Sequence, residues 1–173
     1  MNDSIYSSIE HRGFTINIHY DTHAESPRTE FENLGTLYTA HRNYQTEEDF
    51  DSHFDMDEVC PGKLGEFSDD FLREYIALPV YMYDHSGQTV STTPFSCHWD
   101  SGFFGIIAVS IDKVRKEYRW KSITPKRRKQ IETYLKNEIK TYDDYLTGCV
   151  YGFTVEDKEG NEVDSCWGFY GEE

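Results

Sequence analysis

The sequence predicts an α+β fold: a single domain over residues 1–173, mainly antiparallel sheet, with one long helix at about 125–147 packed on it. Three observations predict this. Short strand-like runs recur along the chain, and two pairs of them flank hairpin turns. Only the segment after Thr124-Pro125 sustains a helical apolar period at length. Finally, 13 Tyr, 11 Phe and 3 Trp supply bulky, strand-favouring side chains to a chain that is only 37% hydrophobic. A chain of 173 residues suffices for one core, burying roughly 70% of its unfolded surface.

Phe14-Thr-Ile-Asn-Ile-His-Tyr20 alternates, with Phe14, Ile16, Ile18 and Tyr20 on one face and Thr15, Asn17 and His19 on the other, the pattern of a half-buried strand. Residues 21–28 are polar and contain Pro27, so they read as a loop, and 34–40 read as a second strand broken at Gly35. Residues 67–76 carry Phe71, Leu72 and Tyr75 at helical spacing, with Ser68 as N-cap and Asp69 and Asp70 in the first turn. Residues 78–83 and 89–92 form a hairpin around Asp84-His-Ser-Gly87. Residues 102–111 are an apolar strand, and Ser110 caps a short helix to about Tyr118.

Thr124 and Pro125 open the long helix, Ile131, Tyr134, Leu135, Ile139, Tyr142 and Leu146 trace its apolar stripe, and Gly148 stops it. Residues 149–156 and 162–169 flank Asp157-Lys-Glu-Gly160, which reads as a type I turn with Gly160 in the left-handed bulge position. Asp157 then closes on Asn161, and Val155 faces Val163, Phe153 faces Ser165, Tyr151 faces Trp167 and Cys149 faces Phe169. That register predicts an aromatic face ready to pack on the long helix, with Cys166 on the opposite face from Cys149 and both thiols free. A two-residue turn at Glu159-Gly160 is the alternative; it pairs Cys166 with Phe153 and turns Trp167 to the other face.

Charge is unevenly distributed. Residues 1–112 carry 5 basic and 20 acidic side chains, residues 113–140 carry 11 and 3, and residues 141–173 carry 1 and 9, for a net charge of −15. Most of such a surface repels DNA and anionic membranes, whereas it suits a basic partner. The basic block 113–140 is the one place for direct nucleic-acid or anion binding. The longest uncharged stretches, such as 103–111, fall well short of the ~20 residues of a membrane span, so no membrane association is expected. No basic region followed by an apolar run opens the chain, and Cys60, Cys97, Cys149 and Cys166 form no CxxC pair. A cytoplasmic protein with reduced cysteines is expected, with no cofactor and no metal.

Four groups of residues are candidates for function. Residues 47–58 hold Glu47, Glu48, Asp49, Asp51, Asp55, Asp57 and Glu58 interleaved with Phe50, Phe54 and Met56. The spacing is not that of an EF-hand, so the segment is either solvated surface or a rigid acidic array that mimics nucleic acid to a protein built to hold it. Lys126, Arg127, Arg128 and Lys129 crowd the positive end of the long helix, while Asp143 and Asp144 stand at its negative end, the reverse of what the dipole favours. Neutralisation by the protein's own carboxylates or by a bound anion is expected. His85, Cys97 and Asp100 contain the residue types of nucleophilic catalysis, at a spacing that matches no motif, and Asp84-His-Ser-Gly87 and Trp99-Asp-Ser-Gly102 also read as plain turns.

The strings Asp84-His-Ser-Gly-Gln-Thr-Val-Ser-Thr-Thr-Pro-Phe-Ser-Cys97-His-Trp-Asp-Ser-Gly102, Thr141-Tyr-Asp-Asp-Tyr-Leu-Thr-Gly148 and Asp164-Ser-Cys-Trp-Gly-Phe-Tyr-Gly171 together resemble a family of small, mostly uncharacterised proteins of phages and mobile elements. The resemblance covers about 78–171 and leaves out the acidic N-terminal third, 1–66. It implies proline in place of His98, which leaves His85 the better candidate base. It also implies a genomic setting in which small acidic proteins often inhibit host defence. The expectation is therefore an anti-CRISPR or anti-restriction inhibitor that binds a basic host nuclease, or its nucleic-acid complex, through residues 47–58. The alternatives are a nucleic-acid-processing enzyme built on His85, Cys97 and Asp100, and a nucleic-acid-binding module using 113–140.

Overall fold

The computed structural model describes residues 5–97 and 99–171. Nine strands and five helices follow in the order β1 (Ile5–His11), β2 (Phe14–Tyr20), α1 (Pro27–Glu30), β3 (Thr36–Thr39), β4 (Glu48–Asp49), α2 (Met56–Val59), α3 (Asp69–Glu74), β5 (Tyr75–Asp84), β6 (Gln88–Ser91), β7 (Ser101–Ser110), α4 (Ile111–Glu117), α5 (Pro125–Leu146), β8 (Val150–Glu156) and β9 (Glu162–Tyr170). They form two sheets, β1-β2-β8-β9 and β4-β3-β7-β5-β6. All neighbours are antiparallel except β3 and β4. The α+β class and the long helix at 125–146 are as the sequence predicts.

The five-stranded sheet is the middle of three layers. On one face, Ile131, Leu135, Ile139 and Tyr142 of α5 pack on Leu37, Val80, Phe104, Ile107 and Val109. On the other, Ala77, Ile106 and Ala108 pack on Phe50, Val59, Cys60 and Phe71 from the acidic segment and α3. Central strand β7 is therefore covered on both sides and buried without interruption from Phe104 to Val109. Gly105 lies where β3 passes closest, and a Cβ there would collide with the Tyr38 carbonyl oxygen. Gly105→Ala is expected to cost about 1–3 kcal/mol, because the obstacle is backbone and cannot rotate away. Urea denaturation measures this; a loss well below that range would mean that β3 gives way.

Helix ends follow local chemistry. Ser68, Ser110 and Thr124 each accept a first-turn amide with their side-chain oxygen, as N-caps do. Past α5, Gly148 takes φ 75°, the left-handed stop. Of the six charges placed against the α5 dipole, Arg127, Arg128 and Asp143 have partners outside the helix, and among the described residues none of the four basic ones meets the carboxylate expected for it. Arg128 donates to the Leu72 and Tyr75 carbonyls (2.7 and 3.1 Å), satisfying the C-terminal end of α3. Arg127 donates to the Ser122 carbonyl and lies 4.7 Å over the Trp120 ring. No ion pair of Lys126, Arg127, Arg128 or Lys129 occurs among the described residues. At the other end, Asp143 accepts from Thr89 Oγ1 and the Val90 amide (2.6 and 2.8 Å) and so ties β6 to the helix.

The terminal hairpin departs from the predicted register. Its turn is as read: Gly160 has φ 81° and the Asp157 amide donates to the Asn161 carbonyl. Hydrogen bonds from the Asn161 side chain and from turn amides hold the Asp157 carboxyl below its ordinary pKa. Beyond Glu156↔Glu162, however, a bulge at Val163 shifts the pairing to Val155↔Asp164 and Phe153↔Cys166, and a second at Gly168 gives Tyr151↔Phe169. Trp167 consequently lies over Gly152 on the other face. All four cysteines are free.

The four-stranded sheet does not pack on the long helix either, because the α5 stripe is taken up by the other sheet. Its apolar face carries Ile9, Phe14, Ile16, Ile18, Tyr20, Tyr151, Phe153, Val155 and Phe169, as the pairings Ile9↔Ile16, Ile16↔Val155, Ile18↔Phe153 and Tyr20↔Tyr151 require. That face is open apart from Tyr151, which is 7% exposed and packs beside Tyr6 and Tyr20, and elsewhere the half-burial expected of it is inverted. Ile9, Phe14, Tyr20 and Phe169 are exposed, whereas Asn17 on the polar face is buried between Ser8 and Glu156, with hydrogen bonds to both.

Candidate functional site

The acidic segment is ordered by its own hydrophobic residues. β4 adds to β3 through Tyr38↔Glu48 and Thr39↔Asp49, and the Phe50 amide continues the ladder to the Thr39 carbonyl (2.9 Å). Phe50 then turns inward and is fully buried, and its carbonyl accepts the His53 and Phe54 amides. Asp55 caps α2 through the Asp57 amide (2.8 Å). Ser68 holds the next turn by donating its amide to the Val59 carbonyl and its hydroxyl to the Glu58 carbonyl, while capping α3. Beneath, Phe71 and Tyr75 stack on each other and Phe54 meets both edge-on, with ring centroids 5.0–5.5 Å apart.

This framework encloses an open groove of roughly 1190 Å³ between the 51–59 segment and α3. Its carboxylates are Asp51, Asp55, Asp57, Glu58, Asp70 and Glu74, set around Phe54, Met56, Phe71 and Tyr75. Asp51, Asp57, Glu58 and Glu74 make no ion pair among the described residues, and Asp70 pairs with Arg73. The result is a fixed negative rim over an aromatic floor. Burial pushes the Cys60 thiol above its ordinary pKa, which makes it an unreactive core residue behind the groove.

Three of the seven expected carboxylates face other tasks. Glu47 lies inside: it pairs with Arg28 at 2.7 Å and accepts the Leu37 amide, so it leaves the outward array. Glu48 pairs with His53 at 3.0 Å, and Asp49 accepts from the Ser52 amide and hydroxyl. Sequence reasoning missed Asp70 and Glu74 as groove residues. The available signal was their i, i+4 spacing, which puts both on one face of a helix that was itself legible.

His85, Cys97 and Asp100 do come together, with Asp100 in the middle. Asp100 Oδ2 is 3.5 Å from His85 Nδ1 and 3.8 Å from Cys97 Sγ. Thiol activation needs the imidazole against the sulfur and the carboxylate behind the imidazole. Here the thiol faces the carboxylate, opposite to the electropositive setting of a reactive cysteine. The adjacent cavity of roughly 340 Å³ is lined by Asp84, Asp100 and the almost fully exposed Trp99. His98 lies outside the described residues. No group of three or more His, Cys, Asp or Glu side chains among the described residues is placed to hold a metal ion.

The basic block is engaged only in part, since Lys116, Arg119, Lys121, Lys126, Lys129 and Lys136 are exposed. Lys113, Arg115, Arg127 and Arg128 each donate to a main-chain carbonyl. Among the described residues, no helix is long and apolar enough to cross a membrane. No family model, curated protein or solved structure matches the chain. The groove geometry therefore carries the functional argument.

Proposed function

We propose that this protein is a phage or mobile-element inhibitor of a host defence nuclease, of the anti-CRISPR or anti-restriction kind, acting in the host cytoplasm. It seats a basic segment of the nuclease, or of its nucleic-acid complex, in the acidic groove. The observation that supports this reading is the unpaired rim of Asp51, Asp57, Glu58 and Glu74, held over Phe54, Phe71 and Tyr75. Such a rim offers ion pairs to Lys or Arg, and the rings offer a surface for the guanidinium plane. A net charge of −15 adds long-range attraction to a basic nucleic-acid channel and repulsion from nucleic acid itself.

The test is a titration against basic restriction and CRISPR effectors at low and high salt. Binding is expected at about 50 mM salt and is expected to weaken at least about tenfold at about 500 mM, where screening acts within a few ångströms. Combining Asp51→Asn, Asp57→Asn, Glu58→Gln and Glu74→Gln is expected to abolish binding while changing stability little, since all four side chains are exposed. Absence of low-salt binding to every such nuclease, or full binding by the neutralised variant, sinks the proposal.

A further inference from the structure

The open face of the four-stranded sheet has no role in the groove. In a folded domain, an apolar sheet face is buried against a second layer. Here α5 and the acidic segment cover the two faces of the other sheet, and among the described residues of β1, β2, β8 and β9 only Val150 and Tyr151 are buried apolar side chains, both outside the two core clusters. We infer that a second copy of this chain covers this face, the two sheets packing face to face into an eight-stranded sandwich across a two-fold axis.

Three observations favour a second copy over a different occupant. The first is charge. Apart from tyrosines and Cys166, the only titratable groups on this face among the described residues are His11, opposite Phe14, and Asp164, opposite Val155. In a chain that is 28% charged, such a face offers a basic partner a single carboxylate, Asp164, and has little with which to repel itself. The second is area. With Ile9 53%, Phe14 44%, Tyr20 38% and Phe169 47% exposed, together with the half-buried Ile16, Ile18, Phe153 and Val155, each copy contributes on the order of 500 Å². A pair would then remove about 1,000 Å² from water, the area at which specific interfaces begin. The third is pattern. The reverse face carries Ser8, Thr15, Asn17, Thr154 and Ser165, with Trp167 and Val150 towards one end, so over most of its length it shows the apolar-in, polar-out alternation of a sandwich layer. A two-fold interface is self-complementary by construction, and two like-twisted sheets pack aligned at about −30°.

Salt separates this surface from the groove. Two chains of −15 repel at long range, so added salt is expected to strengthen the dimer while it weakens groove binding. Sedimentation velocity over about 1–200 µM is expected to show the 20.3 kDa monomer converting to a species of twice that mass, more completely at about 500 mM salt than at about 50 mM. Ile9→Glu with Phe169→Glu, at two exposed positions, is expected to leave a monomer with wild-type circular dichroism. A second measurement does not depend on that variant. Cys166 is exposed on this face opposite Phe153, and in a Cys97→Ser, Cys149→Ser background its maleimide labelling rate is expected to fall about tenfold from dilute to concentrated protein. A wild-type monomer throughout, with a labelling rate independent of concentration, overturns the inference. So does a dimer that survives the Ile9→Glu, Phe169→Glu change, because its interface would lie elsewhere.

Discussion

Replacing Arg28 with alanine is expected to destabilise the fold by about 3–5 kcal/mol, the cost of breaking a buried ion network from one side. Arg28 is 6% exposed and sits between two carboxylates, Glu47 at 2.7 Å and Glu138 at 3.0 Å. Its guanidinium also donates to the Gly35 carbonyl (2.7 Å) and the Asn33 side chain (3.1 Å). The carboxylates in turn accept backbone amides: Glu138 those of Leu34 and Gly35, and Glu47 that of Leu37. One side chain thus joins α1, the 33–37 strand entry, the start of the acidic segment and α5.

Removing that guanidinium leaves two half-buried carboxylates facing each other with no cation between them. At roughly 2–4 °C per kcal/mol for a domain of this size, the melting temperature is expected to fall by about 10 °C or more. Arg28→Lys is expected to recover only part of the loss, because an ammonium lacks the planar fork that reaches both carboxylates and a carbonyl at once. Urea denaturation of Arg28→Ala, Arg28→Lys and Glu47→Gln checks the series. An Arg28→Ala loss below about 1 kcal/mol would falsify the claim that this network holds the layers together.

Nothing local in the sequence announces that network. Arg28 is 19 residues from Glu47 and 110 from Glu138, and it stands in a polar stretch that reads as a loop. Elements closed by neighbouring residues were legible: Ser68, Ser110 and Thr124 cap helices within three positions, and Gly148 and Gly160 supply left-handed turns where the pattern breaks. Failures occurred where the deciding contact was distant or the deviation small. β1 is almost wholly exposed, so Ile5–His11 shows no buried face from which to read a strand. One extra residue at Val163 moved every later pairing of the terminal hairpin, although its turn was read correctly. Alternation in Phe14–Tyr20 identified the two faces, but which face the fold covers depends on where α5 docks.

The acidic segment shows the same division between composition and geometry. Its charge and its interleaved aromatics were plain in the sequence, and the structure gives the aromatics the anchoring part. Glu47 turned inward because a buried arginine waited there, and Asp70 and Glu74 joined because Ser68 folds α3 back against Val59.

Phe50→Ala is the second large expected effect, and it joins stability to function. Phe50 is fully buried, packs with Phe54 at a centroid distance of 5.4 Å, and is the residue at which the acidic segment leaves β4 and enters the core. Truncation of a buried phenylalanine to alanine costs about 3–5 kcal/mol, partly through the cavity left under Phe54. Phe54 in turn supports Phe71 and Tyr75, the floor on which the groove carboxylates are arranged. At a temperature where Phe50→Ala remains folded, its affinity for a basic nuclease is expected to drop about tenfold, although no charge has changed, because the loosened rim must be ordered on binding. Asp57→Asn gives the contrast: nearly wild-type stability and a binding loss from one missing charge. Isothermal titration of both variants, beside urea denaturation, separates the two cases. Wild-type affinity in folded Phe50→Ala would mean that the carboxylates act as diffuse charge, and the argument from a rigid array would fail there.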